Sequence, residues 1–245
     1  MIANATKFHA IIINRCGRHK GTHKLKIAEA EIESEESVPL LGVDIYNKLN
    51  FNKHIGTLCK KSAGQLNAIC RIKNVIGTEE IKILIQSFIY SNFNYCPIVW
   101  MLCSNNSMQK IERIQERATR LLYNDYTSNY DDLLHKAKNI TMEVKRLRVL
   151  AIEVFKTLNN LNPPYMKEFF EKNGDTSNYP LNLKQQSHKF VTYGENSLRV
   201  LAPKIWNYLP DYFKLERSFS SFKKLIKTWT ADFKCKCAMC THLDK

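Results

Sequence analysis

Long hydrophobic runs are missing from this chain of 245 residues. No apolar stretch at its start is typical of a signal peptide, and none reaches the roughly 18 residues that a membrane-spanning helix needs. Residues 81–102 come closest, but Lys82, Asn92 and Pro97 are among the residues that interrupt them. The eight cysteines mostly stand singly along helical patterns, as buried reduced thiols do. We therefore expect an intracellular protein, cytoplasmic or nuclear, with no membrane partner.

Recognisable catalytic arrangements are also missing. We find no Ser/His/Asp or Cys/His arrangement, no phosphate-binding P-loop and no GxGxxG motif. The one adjacent aspartate pair, Asp131-Asp132, follows Ser128 and Asn129 and precedes the residues LLHKAKN. Polymerases hold two metal ions on paired aspartates at the turn of an apolar hairpin. The context here instead predicts the first turn of a capped helix, where acidic residues suit the helix dipole. No catalytic residue is therefore predicted.

Positive charge, by contrast, is abundant. The chain has 37 Lys and Arg against 23 Asp and Glu, which gives a formal net charge of +14. Residues 51–245 hold 30 of the basic and 17 of the acidic residues, so nearly all of the excess lies there. A sustained basic excess attracts polyanions such as nucleic acid or an anionic membrane surface. A basic protein that is merely soluble is the alternative.

The spacing of apolar residues predicts a mainly α protein with a small N-terminal β element. Residues 1–50 contain short strand-like runs, and residues 51–171 have the period of a helical bundle. Residues 172–190 are polar and turn-rich, which predicts a flexible connection. Residues 191–245 are predicted to form a helical extension with a cysteine-rich tail. Because a few short strands make a poor independent sheet, we expect the β segment to need partners.

Local signals indicate where elements begin and end. Residues with side-chain oxygens that cap helices predict five helix starts, at Thr78, at Asn105 or Ser107, at Ser128, at Thr141 and near Ser218. Glu79 and Glu80 follow the first of them and suit the positive end of a helix dipole. The acidic stretch 33–36 is interpreted as a break between strands.

One predicted helix combines an apolar stripe with a row of cations. Over residues 107–124, the side opposite the Ile and Leu stripe carries Lys110, Arg113, Arg117 and Arg120. Guanidinium groups bind phosphate oxygens bidentately, so this row predicts a nucleic-acid-binding surface. The alternative is a solvated face on which Glu112 and Glu116 form ion pairs one turn apart. A second basic set begins the 141–160 helix and consists of Lys145, Arg146 and Arg148.

The cysteine-rich tail contains the pattern C-x-C-x2-C-x-H. Its members are Cys235, Cys237, Cys240 and His242. Three thiolates and an imidazole are a sound ligand set for zinc, and the CxxC part has a common spacing. The single residue between the first two cysteines is tight for chelation, and no hydrophobic scaffold follows. A zinc site and an unliganded tail therefore both stay open.

Several motifs occur in an order that resembles one family. They are Asn4-Ala5-Thr6-Lys7-Phe8 before AIII, LLGVDI at 40–45 with His54-Ile55, FIYSNFNYCPIVW at 88–100, and Pro203-x-x-Trp206-Asn207-x-Leu209-Pro210. Together they resemble the C-terminal part of reverse transcriptases from non-LTR (LINE-type, jockey/CR1-like) retrotransposons. Each motif is weak alone, and their order along nearly the whole chain is what makes the resemblance specific.

This resemblance implies a late-palm segment, a thumb-like helical bundle and a post-thumb extension. It implies a primer-grip-like hairpin at Leu41 and Gly42, and template RNA or an RNA–DNA hybrid as the partner. By the same resemblance Met1 falls inside the palm, so the aspartates that hold catalytic Mg²⁺ would lie upstream. We therefore expect a nucleic-acid-binding remnant that does not polymerise alone, with Mg²⁺ expected only if that palm is present. Two alternatives stay open, a fragment of an intact, active reverse transcriptase and endonuclease polyprotein, and a basic adaptor that binds protein partners.

Overall fold

The computed structural model describes residues 8–13, 23–27, 30–100, 103–174, 179–187 and 197–230. These residues form a mainly helical protein with a small N-terminal β element, which confirms the predicted fold class. In this part of the chain no helix is both long enough and apolar enough to cross a bilayer.

Within the described residues, five short strands make up the β element. They are β1 (Ala10–Ile11), β2 (Lys24–Ile27), β3 (Ala30–Glu35), β4 (Ser37–Leu40) and β5 (Val43–Tyr46). The order β1-β3-β2 forms one sheet, with β1 parallel and β2 antiparallel to β3, while β4 and β5 form a separate antiparallel hairpin. The acidic stretch is mostly strand rather than a break. Cross-strand charge pairing explains this, since Lys24 lies 3.1 Å from Glu31 and 3.8 Å from Glu33.

The first helices follow directly. They are α1 (Asn52–Ile72), α2 (Thr78–Leu84), a π-helical segment (Ile85–Tyr90), α3 (Ser91–Asn94) and α4 (Pro97–Trp100). From α2 to α3 the chain is one helical stretch whose middle turn is widened. The helix predicted at Thr78 starts there, with Glu79 and Glu80 in its first turn, although the cap residue itself is Gly77.

Three further helices are α5 (Asn105–Tyr123), α6 (Tyr130–Lys136) and α7 (Met142–Leu158). The cap of α5 is Ser104, whereas Asn105 or Ser107 was predicted. Asn129 caps α6, because its side chain accepts a hydrogen bond from the Asp132 N–H at 2.8 Å. Thr141 caps α7 as predicted, since its hydroxyl accepts from the Val144 N–H at 3.2 Å. Thus the predicted positions hold to within a few residues.

The C-terminal part consists of a 3₁₀ helix (Pro164–Phe169), α8 (Leu198–Tyr208), α9 (Asp211–Lys214), α10 (Phe219–Leu225) and a second 3₁₀ turn (Ile226–Thr228). A flexible connection was predicted over 172–190. The described residues of this segment, between the first 3₁₀ helix and α8, make contacts with α8. Leu183 is only 1% exposed, and the Asn207 side chain accepts from its N–H at 2.7 Å. The Trp206 indole donates to the Leu181 carbonyl at 3.0 Å. The polar composition of residues 172–190 gives no sign of these long-range contacts.

Two separate hydrophobic clusters fill the interior. The first joins α1, the α2–α3 stretch and α5, and it includes Met142 from the start of α7. The second contains the rest of α7 from Leu147 onward, with Leu183 and the apolar faces of α8, α9 and α10. The division between cores therefore falls inside α7. The sequence predicted α7 to belong to a 51–171 bundle, but most of its buried face packs against the C-terminal helices.

Candidate nucleic-acid interface

Helices α1 and α5 lie side by side and run in the same direction. At their starts, the Ser107 hydroxyl donates to Asn52 Oδ1 at 2.9 Å. At their ends, the Lys73 ammonium donates to Asn124 Oδ1 at 3.0 Å. These contacts fix the register of the two helices over their full length. Residues of α1 and α5 that differ by about 50 in number therefore lie at the same level.

The outer side of α5 carries most of the predicted cation row. Lys110, Arg113 and Arg117 are exposed. Arg117 donates through Nη2 to Asn67 Oδ1 on α1, which draws it toward the neighbouring helix. Within the described residues neither Lys110 nor Arg113 forms an ion pair. These three side chains are available to an anionic partner.

Arg120 behaves differently from the rest of the row. Its Nη2 lies 2.7 Å from Glu116 Oε1 one turn earlier, and its Nη1 donates to the Asp125 carbonyl at 3.4 Å. For Arg120 the structure therefore shows the alternative to phosphate binding, an ion pair within the helix. Its charge is largely neutralised locally, so Arg120 is not part of the exposed cation row of α5.

The two carboxylates of α5 point away from α1. Glu112 accepts from the Tyr130 hydroxyl of α6 at 2.8 Å and from the Glu143 N–H of α7 at 2.9 Å. Glu116 is engaged by Arg120. Helical spacing places Glu112 about 140° and Glu116 about 100° around the helix from Arg117, toward α6 and α7. The side of α5 that adjoins α1 is thus left with positive charge alone.

Helix α1 contributes a second line of cations that the sequence patterns did not predict. Lys53, Lys60 and Arg71 are exposed and, with Asn67, recur on one stripe of the helix. No Asp or Glu occurs between Asp44 and Glu79. That long acid-free interval was the available signal. Together these residues define the α1–α5 basic face: Lys53, Lys60 and Arg71 on α1, with Lys110, Arg113 and Arg117 on α5.

A glycine leaves open space within the α1 line of cations. Gly64 lies on the α1 stripe between Lys60 and Asn67, and a Cβ placed there would meet no atom within 4 Å. The surface at this level therefore has free space above the helix backbone. A chain of phosphates can approach α1 closely at this point.

The second predicted basic set, on α7, is directed inward. Arg146 is only 7% exposed and lies 3.7 Å from Glu143. Arg148 Nε donates to the Trp229 carbonyl at 2.8 Å, and burial lowers the pKa of its guanidinium. Lys145 lies with Nζ 4.6 Å from the Tyr90 ring centroid. These side chains tie α7 to its neighbours, so they do not extend the α1–α5 basic face.

The predicted primer-grip-like position lies at the tip of the β4–β5 hairpin. Leu41 (φ 49°) and Gly42 (φ 81°) form a two-residue turn in which both residues adopt the left-handed conformation. Leu41 is 82% exposed. Its carbonyl accepts a hydrogen bond from the Tyr95 hydroxyl at 2.5 Å. An exposed leucine in a strained conformation is thus held in place by an aromatic side chain after α3.

The structure brings together no metal site in the residues that it describes. No group of three or more His, Cys, Asp or Glu side chains there could hold a metal ion. Asp131 and Asp132 lie in the first turn of α6, as predicted, and have no hairpin around them. The proposed zinc ligands Cys235, Cys237, Cys240 and His242 lie outside the described residues.

Comparisons with models of protein families, with curated proteins and with solved structures each found no match. The resemblance to non-LTR reverse transcriptases therefore stays a prediction from sequence motifs. The charge and geometry of the α1–α5 basic face are the structural observations that bear on function.

Proposed function

We propose that the chain binds RNA or an RNA–DNA hybrid on the α1–α5 basic face, as a thumb-like part of a reverse-transcriptase-like protein. The observation that carries this proposal is the pairing of two parallel helices whose adjoining outer sides carry six exposed cations, while the α5 carboxylates Glu112 and Glu116 are engaged by Tyr130 and Arg120. The sequence resemblance supports the choice of partner. It assigns a role in gripping the template duplex to the same helices.

The dimensions of the face suit a nucleic acid backbone. From Lys53 to Arg71 the α1 stripe extends over about 27 Å, at a rise of 1.5 Å per residue. Packed helix axes lie about 8–10 Å apart, so the cations of α5 form a second line at that distance. Phosphates of one strand follow each other at about 3.4 Å along a duplex axis. Several consecutive phosphates can therefore contact the face at once.

Arginine and lysine contribute in different ways here. Arg71, Arg113 and Arg117 can each clamp a phosphate with two parallel N–H groups, while the lysines act as point charges. Contacts of this kind fix position and orientation without reading sequence. We therefore propose binding that is strong at low salt and tolerant of sequence. No chemical step is assigned to this face.

A salt titration of binding tests this proposal. Fluorescence anisotropy with a labelled RNA–DNA hybrid should give an affinity that falls steeply with salt. The Arg113→Gln/Arg117→Gln variant should lower the log–log slope by about 0.7–0.9 for each lost phosphate contact. At a fixed moderate salt its affinity should fall about tenfold or more.

A matched control separates local contacts from total charge. Lys223 and Lys224 on α10 are exposed, so Lys223→Gln/Lys224→Gln removes the same charge far from the face. This control should bind nearly as the unmodified chain does. Binding that does not depend on salt, or an equal loss in both variants, would contradict the proposal. Preference for an acidic protein over nucleic acid would favour the adaptor alternative.

A further inference from the structure

A pocket lies on the other flank of α5 from Arg117. Its volume is about 270 Å³. The walls come from the π-helical segment, from α5, from residues 137–139 after α6, and from Lys145 of α7. Thr119 lines it and is two residues beyond Arg117, about 200° around the helix. The pocket is thus separate from the α1–α5 basic face.

The polar lining of the pocket is positively charged. It contains Lys82, Lys138 and Lys145, and no Asp or Glu lines it. Lys82 pairs with Glu79 at 3.3 Å on its outer side, whereas Lys138 forms no ion pair within the described residues. Three lysines around one concavity, with no acidic residue in its lining, give it an excess of positive charge that favours an anion.

Lys145 is positioned by its surroundings. Its Nζ lies over the Tyr90 ring at 4.6 Å from the centroid and 3.8 Å from Met142 Sδ. Burial, opposed by Glu112 and reinforced by Arg148, lowers the pKa of this ammonium to about 8. At neutral pH the group is therefore mainly charged, and a bound anion would add to the favourable charge that Glu112 already supplies.

The backbone around the pocket departs from regular structure at two places. The π-helical segment widens the turn that presents Gln86 and Tyr90 to the pocket, and such turns occur frequently at functional sites. Lys138 adopts a left-handed conformation with φ 47°, which is unusual for a residue other than Gly or Asn. The adjacent Asn139 amide donates to the Tyr90 hydroxyl at 3.5 Å. The Lys138 N–H donates to the His135 carbonyl at 3.0 Å and the Asn139 N–H to the Leu134 carbonyl at 2.9 Å, so this conformation closes α6 in a C-capping turn that leaves Lys138 at the pocket.

We propose that this pocket binds a phosphate monoester of about the size of a mononucleotide. Lysines suit phosphate as point charges, with the Gln86 and Asn139 amides as further donors. Ile85, Ala118 and Leu122 supply an apolar wall, so the ligand carries a ring or an aliphatic body beside its phosphate. Such a group can belong to a free nucleotide or to the 5′-phosphate of a strand.

Isothermal titration with adenosine 5′-monophosphate, with adenosine and with inorganic phosphate tests this assignment on the full chain. Adenosine 5′-monophosphate should bind, adenosine should not, and inorganic phosphate should bind more weakly. Lys138→Asn removes one charge and suits the left-handed backbone, so it should fold normally. It should weaken binding about tenfold. Lys167→Asn removes an exposed lysine on the 3₁₀ helix and should bind as the unmodified chain does.

Two oligonucleotides that differ only at the 5′-end identify the source of the phosphate. Tighter binding of the 5′-phosphorylated form, lost in Lys138→Asn, assigns the pocket to a strand end. Equal binding of both forms, with adenosine 5′-monophosphate still bound, assigns it to a free nucleotide. No binding of any phosphate probe, or binding unaffected by Lys138→Asn, overturns the proposal. Arg113→Gln/Arg117→Gln should leave adenosine 5′-monophosphate binding unchanged, so this result is independent of the α1–α5 basic face.

Discussion

Arg117 of α5 donates a hydrogen bond to the Asn67 side chain of α1, and this contact joins two lines of cations into one surface. The two residues are 50 positions apart in the chain. Their contact shows that α1 and α5 lie in register with their outer sides adjoining. A neutral amide, rather than a carboxylate, holds the arginine, so its positive charge is kept for an external anion.

Asn67→Asp tests the importance of that neutrality. The substitution keeps the side-chain shape and places a carboxylate against Arg117, where an exposed ion pair would stabilise the fold by about 0–1 kcal/mol. We expect the free energy of unfolding to be unchanged or slightly higher, and nucleic acid binding to be several-fold weaker. Urea unfolding and fluorescence anisotropy measure the two effects. The Asn67→Ala control should bind nearly normally. Equal binding by the unmodified chain, Asn67→Asp and Asn67→Ala would show that position 67 is not at the interface.

Leu41→Asn is expected to separate stability from binding at the hairpin tip. A left-handed conformation costs leucine about 1–2 kcal/mol, and asparagine before glycine is favoured in such a turn. Because Leu41 is 82% exposed, little packing would be lost. We expect the free energy of unfolding to rise by about 1 kcal/mol, measured by urea titration. If Leu41 contacts nucleic acid, as the resemblance implies, affinity should fall at the same time.

No gain in stability would mean that the leucine makes compensating contacts in the turn. Gly42→Ala provides the opposite test at the adjacent position. A Cβ there would lie 3.6 Å from Tyr95 Cε1, an ordinary contact, so the cost should come from φ 81° alone. A loss of about 1 kcal/mol is expected.

The local parts of the fold were predictable because their signals are local. Thr141 ends a turn-rich stretch and starts an amphipathic pattern, so the start of α7 could be read from the sequence. Asp131 and Asp132 could be placed in a first turn for the same reason. The turn at Leu41 and Gly42 lies inside LLGVDI, and it was expected from the family resemblance that this motif supports. Each of these features depends on a few consecutive residues.

The non-local parts were not predictable in the same way. A helical repeat shows that Arg146 and Arg148 share a region of α7, but not that the C-terminal helices cover it. Only tertiary packing buries Arg146 to 7% exposure and joins Arg148 to the Trp229 carbonyl. Likewise, Lys60 and Arg71 form no obvious cluster until α5 is placed beside α1. One-dimensional patterns carry no information about which helices are neighbours.

Because of Lys145, the free energy of unfolding should change with pH in the alkaline range. Its pKa is lowered by burial from the model-compound value of 10.5 to about 8 in the folded state. Between these values the unfolded state binds more protons, so the contribution of Lys145 to the free energy of unfolding rises with pH. Below about pH 8 Lys145 is charged in both the folded and the unfolded state. The full desolvation cost of burying its ammonium therefore lowers the free energy of unfolding there. The rise should be up to about 3 kcal/mol.

Urea unfolding at pH 7 and pH 10 of the unmodified chain and of Lys145→Met measures this effect. Burial raises the pKa of Cys59 and of Cys103 to about 11, which lowers stability above pH 9 in both proteins. The difference between the two proteins therefore isolates Lys145. The free energy of unfolding of the unmodified chain should rise relative to that of Lys145→Met as pH rises. A constant difference between the two proteins would show that the pKa of Lys145 is not lowered.

The salt dependence of nucleic acid binding by Lys60→Gln/Arg71→Gln tests the central claim most directly, because only the structure places these two residues on the interface. If α1 and α5 form one face, this variant should lower the log–log salt slope by about 0.7–0.9 per contact, as Arg113→Gln/Arg117→Gln does. The Lys223→Gln/Lys224→Gln control should keep the slope of the unmodified chain. A slope unchanged by the α1 substitutions would contradict the account.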